Sequence, residues 1–192
     1  AQRNHQTKPG LRLMITLSLT ALSRTPGPSK PGVLFLLDEF AALGHLRMAE
    51  RGMAEGRGYG VKMWPILQDL SQLKDTYRDR WETFIGNARV VQFFGTADLF
   101  TAKYASDLLG KTTVFSTSTR EDGGTSTSES GRALMTPDEV MHMGPQDELL
   151  FFRGGLRPIR AQKLPYFESS LKDFADPNPM AEEAFEQADD QS

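Results

Sequence analysis

Not one cysteine occurs in the 192 residues, so neither a disulfide nor a thiolate zinc site can form. Histidine is almost as scarce. His5, His45 and His142 stand without the close spacing of metal ligands, and surface or packing roles are expected for them. Long apolar runs are missing too: none approaches the roughly 18 consecutive residues that a membrane-crossing helix needs. No secretory leader pattern opens the chain, which starts AQRNHQTKPG without a methionine and so reads as a piece of something longer. Nor is there an excess of basic charge, since the formal net charge is −3. That balance is uneven: residues 168–192 hold eight acids against one lysine, net −7, which leaves +4 on residues 1–167. A body so weakly basic is no proof of polyanion binding. The acidic, proline-broken end, 168–192, reads as a solvated, disordered tail.

What is present is an alternation of strands and helices. Leu11, Met14, Ile15, Leu19 and Leu22 follow helical spacing, and that helix, 11–24, stops before PGPSKPG. VLFLL (33–37) is a short continuous apolar run, which predicts a strand buried on both faces. A helix is expected from His45 to Arg57, then a strand over VKMWPILQ, where Pro65 removes a ladder donor and calls for an edge or a bulge. LSQLKDTYRDRWETFIGNA reads as a helix in two pieces, RVVQFFG as a third strand, and TADLFTAKYASDLLG as a helix closed by Gly110. The order predicts an α/β fold with a parallel sheet flanked by helices. Beyond it a Ser/Thr-rich alternating stretch predicts two strands around a tip at Gly123 and Gly124. A capping box opens a short helix at TPDE (136–139), and a terminal β-hairpin is expected to turn at Gly154 and Gly155.

The chemistry concentrates where VLFLL ends in two adjacent carboxylates, Asp38 and Glu39. A carboxylate taken out of water needs a partner, so the pair either caps the next helix or handles a cation and a water. In an open parallel α/β sheet, ligands bind outside the carboxyl ends of the strands. Gln68, expected at the end of the second strand, falls on the same edge if a right-handed crossover joins the two strands. Such a cluster suits hydrolysis of a nucleoside triphosphate: Asp38 holds magnesium, Glu39 orients the attacking water and takes its proton, and Gln68 senses the γ-phosphate. The equally simple reading is a strand end with a helix-capping acid. Arg57 lies at the far end of the crossover helix. Twelve residues at ~1.5 Å each carry the chain ~18 Å toward the opposite edge, out of reach of its own Glu39. There it can serve a neighbouring subunit as an arginine finger in trans, or simply sit against a helix dipole.

Several stretches together, VLFLLDEFAALG, EGRGYG, ILQDLSQL, GNARVVQFFGTAD, RALMTPDEV and PIRAQKLPYF, resemble the type IV secretion coupling proteins, the TraG/TraD-like ATPases of conjugation. The resemblance runs from about Leu11 to Phe167. It implies a partial RecA-like P-loop NTPase core over residues 1–167, with 11–24 as the end of an inserted all-α domain or its return helix. It also implies ATP and Mg2+ as ligands and a homo-hexamer on the cytoplasmic face of the bacterial inner membrane. The implied partners are single-stranded, relaxase-linked DNA and secretion-channel proteins. By the same resemblance Asp38 and Glu39 match the Walker B pair, Gln68 the strand-end glutamine, and Arg57 the candidate trans arginine.

One departure matters. The phosphate-binding string G-x-x-x-x-G-K-[ST] is absent: LLGKTT (108–113) lacks its first glycine and precedes a strand instead of a helix. The amino-terminal membrane helices are absent as well. By itself the chain is therefore expected to bind ATP weakly or not at all. Two other functions stay open: an FtsK- or HerA-like DNA translocase, and a substrate-binding module that hydrolyses nothing. Ser116 and Ser118 have no paired base and read as part of an exposed hairpin. Trp64, Trp81, Phe93 and Phe94 are expected in the core.

Overall fold

The computed structural model describes residues 3–24, 27, 31–119 and 125–174. The chain divides into two compact units, residues 1–161 and 162–192. In the first, helix α1 (Arg3–Arg24) carries Pro9 within it. Of its apolar residues, Ile15 and Leu19, one turn apart, are buried and Leu22 packs partly, whereas Leu11 and Met14 face solvent. The buried row is narrow: it faces the turn Phe40–Leu43, the helix Arg47–Glu55 and the turn Gly56–Tyr59. Its Arg12 guanidinium donates to the carbonyls of Leu43 and His45, which fastens the helix to that loop.

Strands β1 (Val33–Leu37) and β2 (Val61–Pro65) pair in parallel, Val33 opposite Val61 and Leu37 opposite Pro65. Helix α2 (Arg47–Glu55) and a 3-10 turn, Gly56–Tyr59, make the crossover between them. The helix is thus shorter than the expected 45–57. β2 stops at Pro65, three residues before Gln68, where a longer strand was predicted. Ile66 N–H still reaches the Leu37 carbonyl at 2.9 Å. The missing donor of Pro65 consequently points away from β1, the edge position that a proline requires.

Among the described residues the parallel sheet ends there. Helices α3 (Leu70–Tyr77) and α4 (Glu82–Asn87), with a 3-10 turn at Arg78–Arg80 between them, form the expected two pieces. β3 (Val90–Phe94) does not join β2. It pairs antiparallel with β6 (Asp147–Phe152) in a second sheet of order β3-β6-β7, β7 being Ile159–Gln162. Alternation along the chain identifies a strand but not its neighbour; Phe93 found Phe151, ring edge to face at 5.5 Å. Gly154 and Gly155, between β6 and β7, take φ of 108° and 83°, the region glycine tolerates.

Helix α5 (Leu99–Leu109) ends at Gly110, and Lys111 opens strand β4 (Lys111–Thr119), which pairs antiparallel with β5 (Thr125–Ala133). The expected tip at Gly123 and Gly124 lies outside the described residues. Helix α6 (Pro137–Met141) begins with the predicted capping box: Glu139 N–H donates to the Thr136 hydroxyl, and the Glu139 carboxylate accepts from Thr136 N–H. In the second unit two 3-10 turns, Tyr166–Glu168 and Ser170–Phe174, carry exposed rings. Residues 175–192, most of the expected tail, are outside the described residues.

The core joins Phe40, Leu73, Tyr77, Trp81, Phe84, Phe93 and Leu149. Three core expectations fail. Trp64 is 52% exposed and Phe94 42%, and β1 is buried on one face only, with Leu34 and Leu36 more than half exposed. Among the described residues nothing covers the face that Leu34, Leu36 and Trp64 share.

Candidate functional site

Asp38 and Glu39 follow β1 directly, and both side chains face solvent. Their surroundings decide between the two roles open to them. Glu39 occupies the position before a 3-10 turn (Phe40–Leu43), yet its side chain makes no capping hydrogen bond. Among the described residues Asp38 Oδ1 accepts only the N–H of its neighbour Glu39, at 3.0 Å. Capping therefore does not use these carboxylates, and exposure removes the burial cost that made them puzzling.

Glu39 has φ 47° and ψ 42°, the left-handed region, which disfavours any residue but glycine by about 1–2 kcal/mol. The next residue explains why the strain is held. Phe40 is 1% exposed, stacks on Tyr77 and tilts against Phe84, and its N–H donates to the Ile66 carbonyl at 3.0 Å. Driving that ring inward forces the chain to turn sharply at Glu39 and leaves the carboxylate on the rim.

The same bond from Phe40 to Ile66 carries the pairing of β1 and β2 past Pro65, so Gln68 emerges on the carboxyl rim beside Asp38 and Glu39. Gln68 is exposed, and its side-chain carbonyl accepts from Gln72 at 3.2 Å. Asp69 caps α3, accepting Gln72 N–H at 2.8 Å. Arg57 lies elsewhere, in the turn that feeds the amino end of β2, where Gly60 accepts from Val33 N–H. Five residues of strand, ~16 Å, separate it from the acids. Asp38, Glu39 and Gln68 share one rim; Arg57 occupies the other.

Sequence reasoning missed a polar network behind Gln68. Asp98, at the cap of α5, accepts Thr101 N–H at 2.9 Å and the Thr101 hydroxyl at 2.6 Å, and both its oxygens accept from Ser71 on α3. The buried N–H of Leu70, first residue of α3, donates in turn to Thr101 Oγ1 at 2.8 Å. Burial works against ionisation of Asp98, but the bonds from Thr101, Ser71 and Phe100 outweigh it and hold its carboxyl below the usual range. An Asp immediately ahead of an apolar helix and three before a Thr was the available signal for the cap, though not for its reach to Ser71.

The histidines make local contacts. His45 packs on Tyr77 and meets the buried Glu50 at 3.3 Å, and His142 meets Asp138. Among the described residues no group of three or more acids and histidines is arranged to hold a metal, and no helix is long and apolar enough to cross a membrane. LLGKTT runs from the end of α5 into β4, with no helix after the lysine. Of the serines, Ser116 bonds Ser128 across the hairpin.

Comparison with known proteins identifies the family of the chain. The family model for type IV secretory system conjugative DNA transfer matches residues 1–190. The chain is 36% identical over 172 residues to the conjugal transfer protein TraG of Agrobacterium fabrum strain C58, covering 84% of this chain and 26% of that one. It is 31% identical over 190 residues to protein VirD4 of Rhizobium radiobacter, covering 90% and 28%. It thus spans about a quarter of the length of these relatives. In fold it is similar to the bacterial conjugative coupling protein TrwB, with TM-score 0.67 at 22% identity, over 82% of this chain and 38% of that one. A structure of TrwB with ADP and Mg2+ superposes comparably, at TM-score 0.64.

Proposed function

The chain belongs to the family of type IV secretory system conjugative DNA transfer proteins, and from that premise we propose that it forms the carboxyl half of a coupling ATPase motor. In this reading a hexamer at the cytoplasmic face of the inner membrane recruits DNA and protein substrates to the secretion channel and helps move them, with ATP hydrolysed between subunits. The relatives are conjugal transfer and coupling proteins, and TrwB has been crystallised with nucleotide and magnesium.

One observation carries the reading. Two carboxylates that cap nothing stand on a strained, anchored turn at one rim with Gln68, and an exposed arginine stands at the opposite rim. Two exposed oxygen donors on adjacent residues fit a hard, hydrated cation such as Mg2+. Bound magnesium nucleotide would supply the phosphorus electrophile and neutralise its charge; Asp38 would hold the cation. Glu39 orients a water and takes its proton, and Gln68 hydrogen-bonds on the same rim. Arg57, too far from its own acids, acts on the adjacent protomer, a contribution worth roughly 10³- to 10⁵-fold in rate. Because LLGKTT leads into a strand, the phosphate-cradling loop must come from outside residues 1–192, and the isolated chain acts as a binding surface without turnover.

The test is a chimera in which this chain replaces the matching stretch of the Agrobacterium fabrum TraG. Glu39→Gln should keep nucleotide binding and lose turnover, and Arg57→Ala should lose turnover with Glu39 intact. Mixing the two variants rebuilds some interfaces with both groups intact, so part of the activity should return. No recovery on mixing overturns the trans assignment, and full activity of Glu39→Gln overturns the site.

A further inference from the structure

We propose that Asp98 is the positioning residue of the strand-end glutamine: through Thr101 and Ser71 it clamps the start of α3, and so Gln68, to the carboxyl end of β3. The inference rests on the site reading above, and it adds a second strand end to that site.

A helix cap alone does not explain the arrangement. Capping α5 requires only that Asp98 accept the N–H of Thr101. Here the same carboxylate also takes the Thr101 hydroxyl and the Ser71 hydroxyl, and Ser71 lies 27 residues away on another helix. The donor direction is fixed. Thr101 gives its proton to Asp98, so an oxygen lone pair faces Leu70 N–H. Leu70 is the first residue of α3, one of the positions whose N–H has no acceptor within its own helix. Asp69 serves the third position locally, while the first depends on α5.

That dependence reaches Gln68 by a short path. The buried Leu70 is two residues on, and Gln72, on the same first turn, bonds the Gln68 side chain. The path also crosses between sheets. β2 and β3 share no ladder, yet the loop after each ends in a helix whose first turn is tied to the other's. A change at Gln68 therefore reaches the end of β3 through the hydrogen bonds that gather on the Asp98 carboxylate. Misplacing a catalytic group by about 1 Å can cost about 100-fold in rate, so a clamp of this kind has a kinetic signature.

The experiment uses Thr101→Val, which keeps the shape and removes the hydroxyl, Thr101→Ser, which keeps the hydroxyl, and Asp98→Asn. Amide exchange in the 192-residue chain reads the clamp directly. Thr101→Val should speed exchange across residues 66–72 by about tenfold or more relative to Leu149 in β6, and Thr101→Ser should restore it. In the TraG chimera, Thr101→Val and Asp98→Asn should lower kcat by about tenfold while the KM for ATP stays within about twofold. Unchanged exchange over 66–72 overturns the proposal, as does loosened exchange with full turnover. A chimera that fails to hydrolyse ATP with every wild-type residue in place condemns the site reading instead, and the exchange measurement then decides the clamp alone.

Discussion

Phe40 and Tyr77 stack with their ring planes 11° apart and their centroids 5.8 Å apart, and the contact sets the conformation of the residue before it, Glu39. A glutamate held at φ 47° is strained, so the fold spends stability to leave this carboxylate on the rim. Glu39→Gly should raise the stability of the chain by about 0.5–1 kcal/mol, the strain relieved less the extra freedom of glycine in the unfolded state. It should also abolish turnover in the TraG chimera. Denaturant midpoints and ATPase rates check both halves. A loss of stability would mean that the Glu39 side chain makes favourable contacts in the fold.

A second strained residue has no candidate catalytic role to account for it. Arg78, at the end of α3, adopts φ 51° and ψ −128°, a combination that side chains avoid. It is exposed, while Tyr77 before it is buried. Arg78→Gly should therefore stabilise the chain by about 1–2 kcal/mol, seen as a higher urea midpoint with an unchanged slope. No gain would mean that the guanidinium offsets the strain through a contact of its own.

What the sequence made legible is mostly local. Thr136, Pro137 and Glu139 announced their helix because a capping box spans four residues, and Asp38 and Glu39 stood out because they ended an apolar run. Pairing over long separations left no such trace. β3 meets β6 through residues such as Gln92 and Glu148, 56 positions apart, and alternation says nothing of which strand will be the neighbour. The apolar run of β1 likewise read as doubly buried, because Leu34 and Leu36 are as apolar as Leu37 whether or not anything covers them. At the site, the acids and Gln68 could be named from the sequence. The left-handed turn at Glu39 and the reach of Asp98 to Ser71 could not, since each depends on a partner distant in the chain.

Tyr77 gives the fold an alkaline limit. Burial pushes its phenol from 10.0 up to about 12; the N–H of Leu46 opposes that shift and nearby Glu50 adds to it. The native state thus prefers the protonated phenol. Its contribution is complete below pH 10, where the unfolded chain is also protonated, and is lost as pH rises from about 10 through about 12. Tyr77→Phe removes this titration. At neutral pH it should cost about 1–2 kcal/mol, because Leu46 N–H loses a buried acceptor. Between pH 10 and 12 the advantage of the wild type should shrink by up to about 2 kcal/mol. Parallel urea titrations of the two proteins measure the difference, and a constant gap across that range would refute the assignment.

The two tryptophans look alike in the sequence and should behave as opposites. Trp81 is 7% exposed and meets Phe100 and Tyr104 edge-on, with centroids at 5.4 and 5.1 Å, so it joins the turn after α3 to α5. Removing such a ring leaves a cavity as well as losing its transfer energy, and Trp81→Ala should cost about 3–5 kcal/mol. Trp64 stands on β2 opposite Leu36, with half its surface in water and no covering element among the described residues. Replacing it gives up only the half of the ring already packed on the strand, and because threonine keeps strand propensity Trp64→Thr should cost about 1–2 kcal/mol, well below Trp81→Ala. Fluorescence separates them independently. In Trp81→Phe the remaining emission should be red-shifted and readily quenched by acrylamide, and in Trp64→Phe it should be blue-shifted and protected. A protected Trp64 would mean that the bare face of β1 and β2 is covered in solution, with self-association of the chain the first cause to test by sedimentation.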